Sequence, residues 1–402
     1  MALDLTSFAS ALKVHYTSDR VENMVYQDNP LLALMSKYEQ FGGKNLPIPI
    51  IYGNPQGRSA SFSNAQSNKS SSQLKDFVLT RAKDYSLASI DNETLEASKG
   101  NANAFLEAAT VEIDGAIHSA ARSLAISMYR KGSGSIGQLS ATSGVTTTIT
   151  LADVESVTNF EKGMTLVLST ADGGGSVKAG TTVVTGIDRD LGTVTVATSM
   201  ASFTPAGAVS DFVFVQGDYD AKIKGLQAWL PDTAPTSGDN FFSVDRSSDV
   251  TRLAGIRFDG SAMPIEEALI SAASRVAREG GKPTHCFMSY SKYADLEKAL
   301  GSKIQYIDMK VNAEIMFRGI QINGPRGPIK VVPDQNCPND RAFMLEMDVW
   351  KLYSLGKAPK ILDTDGLKML RDSNADSVEV RIGYYGQVGC RAPGRNANIR
   401  LS

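Results

Sequence analysis

Cysteine is scarce in this sequence. Cys286, Cys337 and Cys390 stand far apart, and an odd, unclustered set excludes a disulfide framework and suits folding in a reduced, cytoplasmic setting. Histidine is as rare: His15, His118 and His285 are isolated, and His118 reads as a partly buried residue beside an apolar helix face. Neither sign of charge dominates. With 41 basic and 43 acidic residues the net charge is −2, whereas a dedicated nucleic-acid binder is usually basic. No window approaches the ~20 apolar residues that span a bilayer, so no membrane association is expected. The N-terminus shows no basic region followed by an apolar run, so no signal peptide is expected. No Walker lysine motif, H-E-x-x-H or G-x-S-x-G occurs. Cys286 follows His285, but a Cys/His nucleophile pair forms in space, and Cys286 reads as a buried strand residue. No catalytic residue, cofactor or metal is expected.

What is present is a core-forming chain of 402 residues, 42% apolar, that changes character several times. Residues 1–43 read as an arm with short helices, in which Asn29-Pro30 turns into one helical segment, LLALMSKYEQ, ended by Phe41-Gly42-Gly43. Residues 44–90 begin strand-like, become rich in Ser, Asn, Gln and Gly, and resume as FVLTRAKDYSLASI. Two strand-like arms joined by a polar tip predict a long hairpin. The tip, with Phe62 its lone large apolar residue between Ser59 and Ser72, cannot bury itself: it is disordered or held by something else. Asp91 can cap the next helix. From there to Arg130, Leu95, Phe105, Leu106, Ala109, Ile113, Ala116, Ile117, Ala120, Leu124 and Met128 recur at helical spacing. They predict one very long helix, with a break near Gly100 as the alternative.

Residues 138–217 differ again. They lack Cys, His and Trp and carry three basic against seven acidic residues. VTTTITL, GMTLVLST, TTVVTGI, GTVTVAT and DFVFVQG alternate apolar with polar, separated by Gly/Asp turns, and predict a small antiparallel barrel or sandwich inserted into the chain. Residues 218–239 connect. Over 240–360 helical and strand-like segments alternate: Pro264 opens IEEALISAASRVAREGG, HCFMS is a short strand, and SKYADLEKALG is a helix with Ser291 as its expected cap. EIMFRGIQING, IKVVPD and AFMLEMDVWKLYSL read as strands. Residues 361–402 hold one alternating strand and an irregular basic end, whose Arg381 to Ser402 stretch contains four arginines and no acid. That end reads as a solvated tail, with contact to DNA or an acidic neighbour as the second reading.

The stretch GSGSIG at 132–137 fits G-x-G-x-x-G, the dinucleotide-binding pattern. That pattern needs a strand before it and a helix after it, and here a long helix precedes and a β region follows. Gly132, Gly134 and Gly137 therefore read as a helix cap and flexible domain joint, with Gly217 as the second joint. DTDG at 363–366 begins like a calcium loop, but the twelfth position, Asn374, is not a glutamate; it reads as a surface turn. Paired Glu266-Glu267 is accounted for by a helix N-terminus.

The order of these elements resembles the tailed-bacteriophage major capsid (coat) proteins of the Hong Kong ninety-seven type. GLQAWLPD is similar to their entry into the axial domain, FMSYSKYADLEKALG to their strand-then-helix segment, and IKVVPDQNCPNDRAFMLEMDVWKLYSLG to their strand pair around a Pro-Asp turn. The resemblance spans the chain apart from 138–217. It implies an α+β capsid fold: N-terminal arm (1–43), extended loop (44–90), spine helix of a peripheral domain (91–137), axial domain (240–360) and a returning peripheral strand (361–402), with the β insert on the shell exterior. It also implies self-assembly into hexamers and pentamers of an icosahedral virion head around double-stranded DNA, met non-specifically. A separate scaffolding protein, a portal and synthesis in the host cytoplasm complete what it implies. Arg58, Phe62, Lys69, Lys75, Asp76, Arg81 and Lys83 become candidates for intersubunit contact. Lys69, Lys75, Asn396 and Asn398 are residue types that crosslink in some relatives, but they do not match position by position and no crosslink is expected. The alternatives are another virion structural protein, such as a tail-tube or decoration protein, or a soluble oligomeric enzyme.

Overall fold

The computed structural model describes residues 21, 24–91, 93, 102–140, 146–301, 304–310, 316–363, 370–372 and 375–402. The first half of the expected arm with His15, the first part of the expected long helix, and most of DTDG with Asn374 lie outside the described residues.

Asn29-Pro30 opens a helix as expected, but α1 (Pro30–Leu34) is only five residues long. The chain then extends into β1 (Ser36–Tyr38), parallel to a strand more than 300 residues later. The LLALMSKYEQ segment is therefore split, because Leu31, Leu32 and Met35 are buried while the residues after them gain a sheet partner.

The hairpin also differs from its expected form. β2 (Asn45–Gly53) pairs with β3 (Gln73–Thr80), and the tip contains a short helix, α2 (Phe62–Ser67). β4 (Ala82–Asp91) is not part of the hairpin. Beyond Arg81 it joins the main sheet, so FVLTRAKDYSLASI is two strands. Alternation alone does not tell which partner each half takes.

α3 (Ala102–Tyr129) is the long helix, 28 residues and about 42 Å at ~1.5 Å per residue. Its buried stripe, Ile113, Ile117, Leu124 and Met128, is the one the periodicity marks. It lies across β4 and the 14-residue β22 defined below.

Between α3 and the rest comes the insert: β5 (Ser135–Gln138), β6 (Thr148–Thr150), β7 (Thr165–Ser169), β8 (Thr182–Asp188), β9 (Thr193–Val196) and β10 (Phe212–Val215), in the order β5-β10-β7-β8-β9-β6. The two end strands meet through a Leu139–Leu151 bridge, with Ser140 N donating to Thr150 O (3.0 Å) and Ala152 N to Gln138 O (2.8 Å). The sheet thereby closes into a barrel around its own core, which includes Phe160, Leu166, Leu168, Val194 and Val213.

A one-turn helix, α4 (Leu226–Trp229), and a two-residue ribbon, β11 (Asn240–Phe241) and β12 (Val244–Asp245), follow. Then come β13 (Ile256–Asp259), α5 (Ile265–Arg278), β14 (His285–Met288), α6 (Tyr290–Leu300), β15 (Tyr306–Lys310), β16 (Met316–Gly324), β17 (Gly327–Pro333) and β18 (Arg341–Leu345). Glu266 and Glu267 in the first turn of α5 and Arg275 and Arg278 in its last complement the helix dipole. Ser289, not Ser291, caps α6: its hydroxyl accepts from Lys292 N, and both serine hydroxyls bond Asn339.

A 3-10 turn at Met347–Val349 then carries the chain out of this sheet into β19 (Trp350–Ser354). β20 (Lys360–Ile361), β21 (Leu370–Arg371), β22 (Ser377–Cys390) and β23 (Ala397–Arg400) complete the described strands. The main sheet is built on β22, which pairs with β4, β19, β20 and β21, with β1 beside β19. The second sheet runs β13-β23-β18-β14-β17-β16-β15. Its place for β23, between β13 and β18, corrects the expected irregular tail. Ala397, Ile399 and Leu401 are buried, a pattern of alternation too short to stand out in sequence. The segment AFMLEMDVWKLYSL likewise divides between two sheets, and Phe241 and Phe242 sit in the core beneath the main sheet, not in the second sheet's core.

Candidate assembly surfaces and domain joint

The hairpin has a buried root and a bare end. On its inner face Ile48, Ile50, Phe77 and Leu79 are buried. Phe77 packs 5.0 Å from the ring of Trp229 and 6.1 Å from Phe241, and Val78 N donates to Phe242 O (2.9 Å). Trp229 in turn meets Trp350 at 6.2 Å and donates from Nε1 to Val388 O (3.1 Å), so the root, the connecting segment and the main sheet share one aromatic core. Ile51 and Leu74, paired with each other on the outer face, are 64% and 56% exposed, and at the tip Phe62 is 83% exposed. Pro47 and Pro49, on the outer face of β2, have no N–H to offer another strand, one way an exposed strand avoids indiscriminate pairing.

The candidate contact residues separate along this gradient. Arg58, Phe62, Lys69, Asp76 and Lys83 are exposed. Lys75 is instead tied to its own chain, its Nζ donating to Asp245 O (2.8 Å) and to Ser248 Oγ. Arg81 donates to Phe41 O (2.6 Å) and lies over the Phe41 ring. Both brace the root. Asn396 and Asn398 are buried and hydrogen-bonded. Asn396 Oδ1 accepts from Trp350 Nε1 (2.9 Å) and Glu346 N (2.8 Å), and Asn398 Nδ2 donates to Leu230 O (2.9 Å) and Asp232 Oδ1 (2.8 Å). Neither asparagine side chain is open to solvent. Nor do the terminal arginines form a loose tail: Arg381 pairs with Glu379 and Arg395 with Glu346.

The joint to the barrel is stitched, not slack. Gly132 (φ +91°) and Gly134 (φ +86°) take left-handed conformations disfavoured for other residues. A Cβ on Gly134 would lie 2.4 Å from Asp218 O, and one on Gly132 2.8 Å from the Lys224 side chain. The glycines let the outgoing chain lie against the returning one, and Asp220 N donates to Ser133 O (2.8 Å) and Gly225 N to Arg130 O (2.9 Å). Gly137 lies within β5, against Phe160 and Leu151 of the barrel core. Gly217 (φ +91°) has open space around it. The expected flexibility of GSGSIG is therefore corrected: its glycines serve close packing.

Sequence reasoning missed two polar clusters. Lys222, nearly buried, reaches Asp84 (2.6 Å), Ser123 Oγ (2.9 Å) and Asp218 (3.1 Å), tying β4, α3 and the barrel's exit together. Burial raises the Asp218 carboxyl above its ordinary value while Lys222 works against that rise. Asp334, fully buried, accepts from Tyr129 OH (2.8 Å), Asn336 N (2.9 Å) and Asn336 Nδ2 (3.1 Å). Asn336 also donates to Asn29 Oδ1 (3.0 Å), so this cluster joins the arm, α3 and the second sheet. Desolvation raises the Asp334 carboxyl and outweighs those hydrogen bonds. The links that span the chain, Lys222 to Asp84, Tyr129 to Asp334 and Asn29 to Asn336, join residues more than 100 positions apart and leave no local signature.

Nothing reactive was assembled from the cysteines. All three are free and buried, and burial pushes the Cys286 thiol up to about 12, the reverse of an activated nucleophile. Among the described residues there is no group of three His, Cys, Asp or Glu placed to hold a metal ion, and no helix long and apolar enough to cross a membrane.

Residues 210–389 match the family model described as SU10 major capsid protein. No curated protein matches the chain. Among solved structures, one described as the cyanophage A-1(L) capsid asymmetric unit aligns with a TM-score of 0.52 and 11% identity, over 93% of this chain and 92% of that one. A capsid of a native GTA particle (TM-score 0.45, 9% identity, 92% and 89% covered) and a structure described as Mycobacterium phage Ogopogo (0.43, 10%, 94% and 92%) resemble it more loosely. The chain thus has the fold of a phage capsid subunit along nearly its whole length, and over residues 210–389 it is similar to the SU10 major capsid protein family.

Proposed function

We propose that this protein acts by closing many copies of itself into the icosahedral head shell, with the hairpin as its reaching element and no catalytic step of its own. The observation that supports this is the hairpin's contrast between a root sealed by Phe77 and Leu79 and a tip where Phe62 is left to solvent, with Ile51 and Leu74 exposed on the outer face. A subunit that stays alone gains nothing from such an arm; a neighbour lying beneath it covers that surface. Arg58, Lys69, Asp76 and Lys83 are the charged groups placed to pair across that contact. Each exposed pair contributes at most ~1 kcal/mol, and repetition around a shell multiplies it. The main sheet with α3 forms the peripheral domain, the second sheet the axial domain, and the barrel an appendage on the outer surface, which its net acidity suits.

A separate scaffolding protein guides assembly, a portal occupies one vertex, and the shell encloses double-stranded DNA without reading its sequence. Synthesis and assembly take place in the host cytoplasm. The test is negative-stain microscopy of the purified full-length chain, with and without its scaffold. Closed shells are expected, and a variant lacking residues 54–72 should give folded subunits that do not close. Tubes would assign the chain to a tail, and small oligomers under every condition would overturn the reading.

A further inference from the structure

The barrel carries an exposed patch that its fold does not need. Val154 is 51% and Leu191 70% exposed. They are brought together because the β8–β9 turn packs on the turn that follows β6: a Cβ on Gly192 would lie 2.4 Å from Val154 Cγ1. Asp188 organises the turn, its Oδ1 accepting from Asp190 N (3.1 Å) and Leu191 N (3.0 Å). Glu155 adjoins Val154 in the chain, and Asp188 and Asp190 share the turn with Leu191; all three are exposed. The base on the same turn, Arg189, is engaged with Glu161 at 3.1 Å. The patch is thus apolar at its centre and acidic at its edge.

The hairpin end has the complementary character. Phe62, 83% exposed, begins α2. Between residues 54 and 75 the charged residues are Arg58, Lys69 and Lys75, with no acid. Since Lys75 is held by the root, two exposed bases, Arg58 and Lys69, lie before and after one exposed aromatic residue in the sequence of the hairpin end. A phenylalanine between bases and a Val/Leu pair among acids match both in apolar centre and in sign of edge. That is the arrangement of an anchor residue with an electrostatic rim.

We propose that the hairpin end of one subunit docks on the barrel of a second copy of this chain, with Phe62 seated on Val154 and Leu191, and Arg58 and Lys69 facing Glu155, Asp188 and Asp190. This rests on the shell-forming reading above and makes the insert a fastening between subunits as well as an appendage.

Cysteine pairing in assembled shells tests it, because the three native cysteines are buried. Full-length Phe62→Cys and Leu191→Cys chains are co-assembled and oxidised mildly. A heterodimer on a non-reducing gel is expected, at several times the amount of either homodimer. A second measurement uses charge reversal. Arg58→Glu with Lys69→Glu should lower the salt concentration at which shells dissociate, and adding Glu155→Lys with Asp190→Lys should restore it. Shells that form normally, yield no heterodimer and show no rescue would overturn the docking while leaving the shell-forming role intact. Failure of the unaltered chain to form shells would instead count against that role.

Discussion

The barrel and the hairpin are both excursions from the same body, and they treat their edges in opposite ways. The barrel joins its first strand to its second and, among the described residues, leaves no open edge, so its alternating residues fill a private core. The hairpin has two strands, too few to enclose anything, and beyond its root it buries almost nothing. A segment that completes itself can be carried as an insert. A segment that cannot complete itself leaves its far end to solvent, which suits the assembly role proposed for it.

The sharpest way to break the comparison is to open the barrel from within. Lys178 and Asp211 form an ion pair at 2.5 Å, 5% and 3% exposed. Lys178→Met leaves a buried carboxylate without its cation, a change that typically costs about 3–5 kcal/mol. The barrel should lose hydrogen-exchange protection while α3 and the main sheet keep theirs. Loss of protection throughout would show that the barrel is not an independent unit. Next, Phe77→Ala at the hairpin root should destabilise the subunit by about 3–5 kcal/mol in denaturant unfolding, whereas Phe62→Ala at the end should change it by less than about 0.5 kcal/mol. Equal effects would erase the distinction between root and end.

A pH series separates the barrel from the rest by a third route. Burial, with Lys330 nearby, lowers His285 to about 4 from its ordinary 6.5. The unfolded chain therefore takes up this proton at higher pH than the folded one. Stability is present above about pH 6.5 and is lost as the pH falls from there towards about 4. His285→Gln should flatten that part of the unfolding profile. Residues 138–217 contain no histidine, so the barrel's own melting should be insensitive to this substitution. The smallest effects concern the joint: Gly134→Ala, which meets Asp218 O, should cost more in thermal unfolding than Gly217→Ala. The latter bears only the left-handed backbone penalty of about 1 kcal/mol.

Much of this was legible because it was periodic. The spine stripe from Ile113 to Met128 and the alternation of the barrel strands are local signals, strong over many residues, and the order of elements carried the capsid resemblance. What could not be read was partnership. β3 and β4 are consecutive and similar in pattern, yet Arg81 separates a strand of the hairpin from a strand of the main sheet. Lys75 and Arg81 read as candidates for intersubunit contact because their partners within the chain, Asp245 O and Phe41 O, are carbonyls that no sequence pattern marks.

By itself the sequence determined the helical period of α3 and the alternation of the barrel strands, which stretch could fold as an insert and which could not bury itself, since those depend on side-chain period and composition within a few dozen residues. Only the tertiary structure decided that β23 returns to the second sheet, that Asp334 and Lys222 gather distant segments, and that the glycines of GSGSIG are sites of close approach and not of slack. Each of these depends on which distant backbone comes within a few ångströms, a quantity that no short stretch of residues contains.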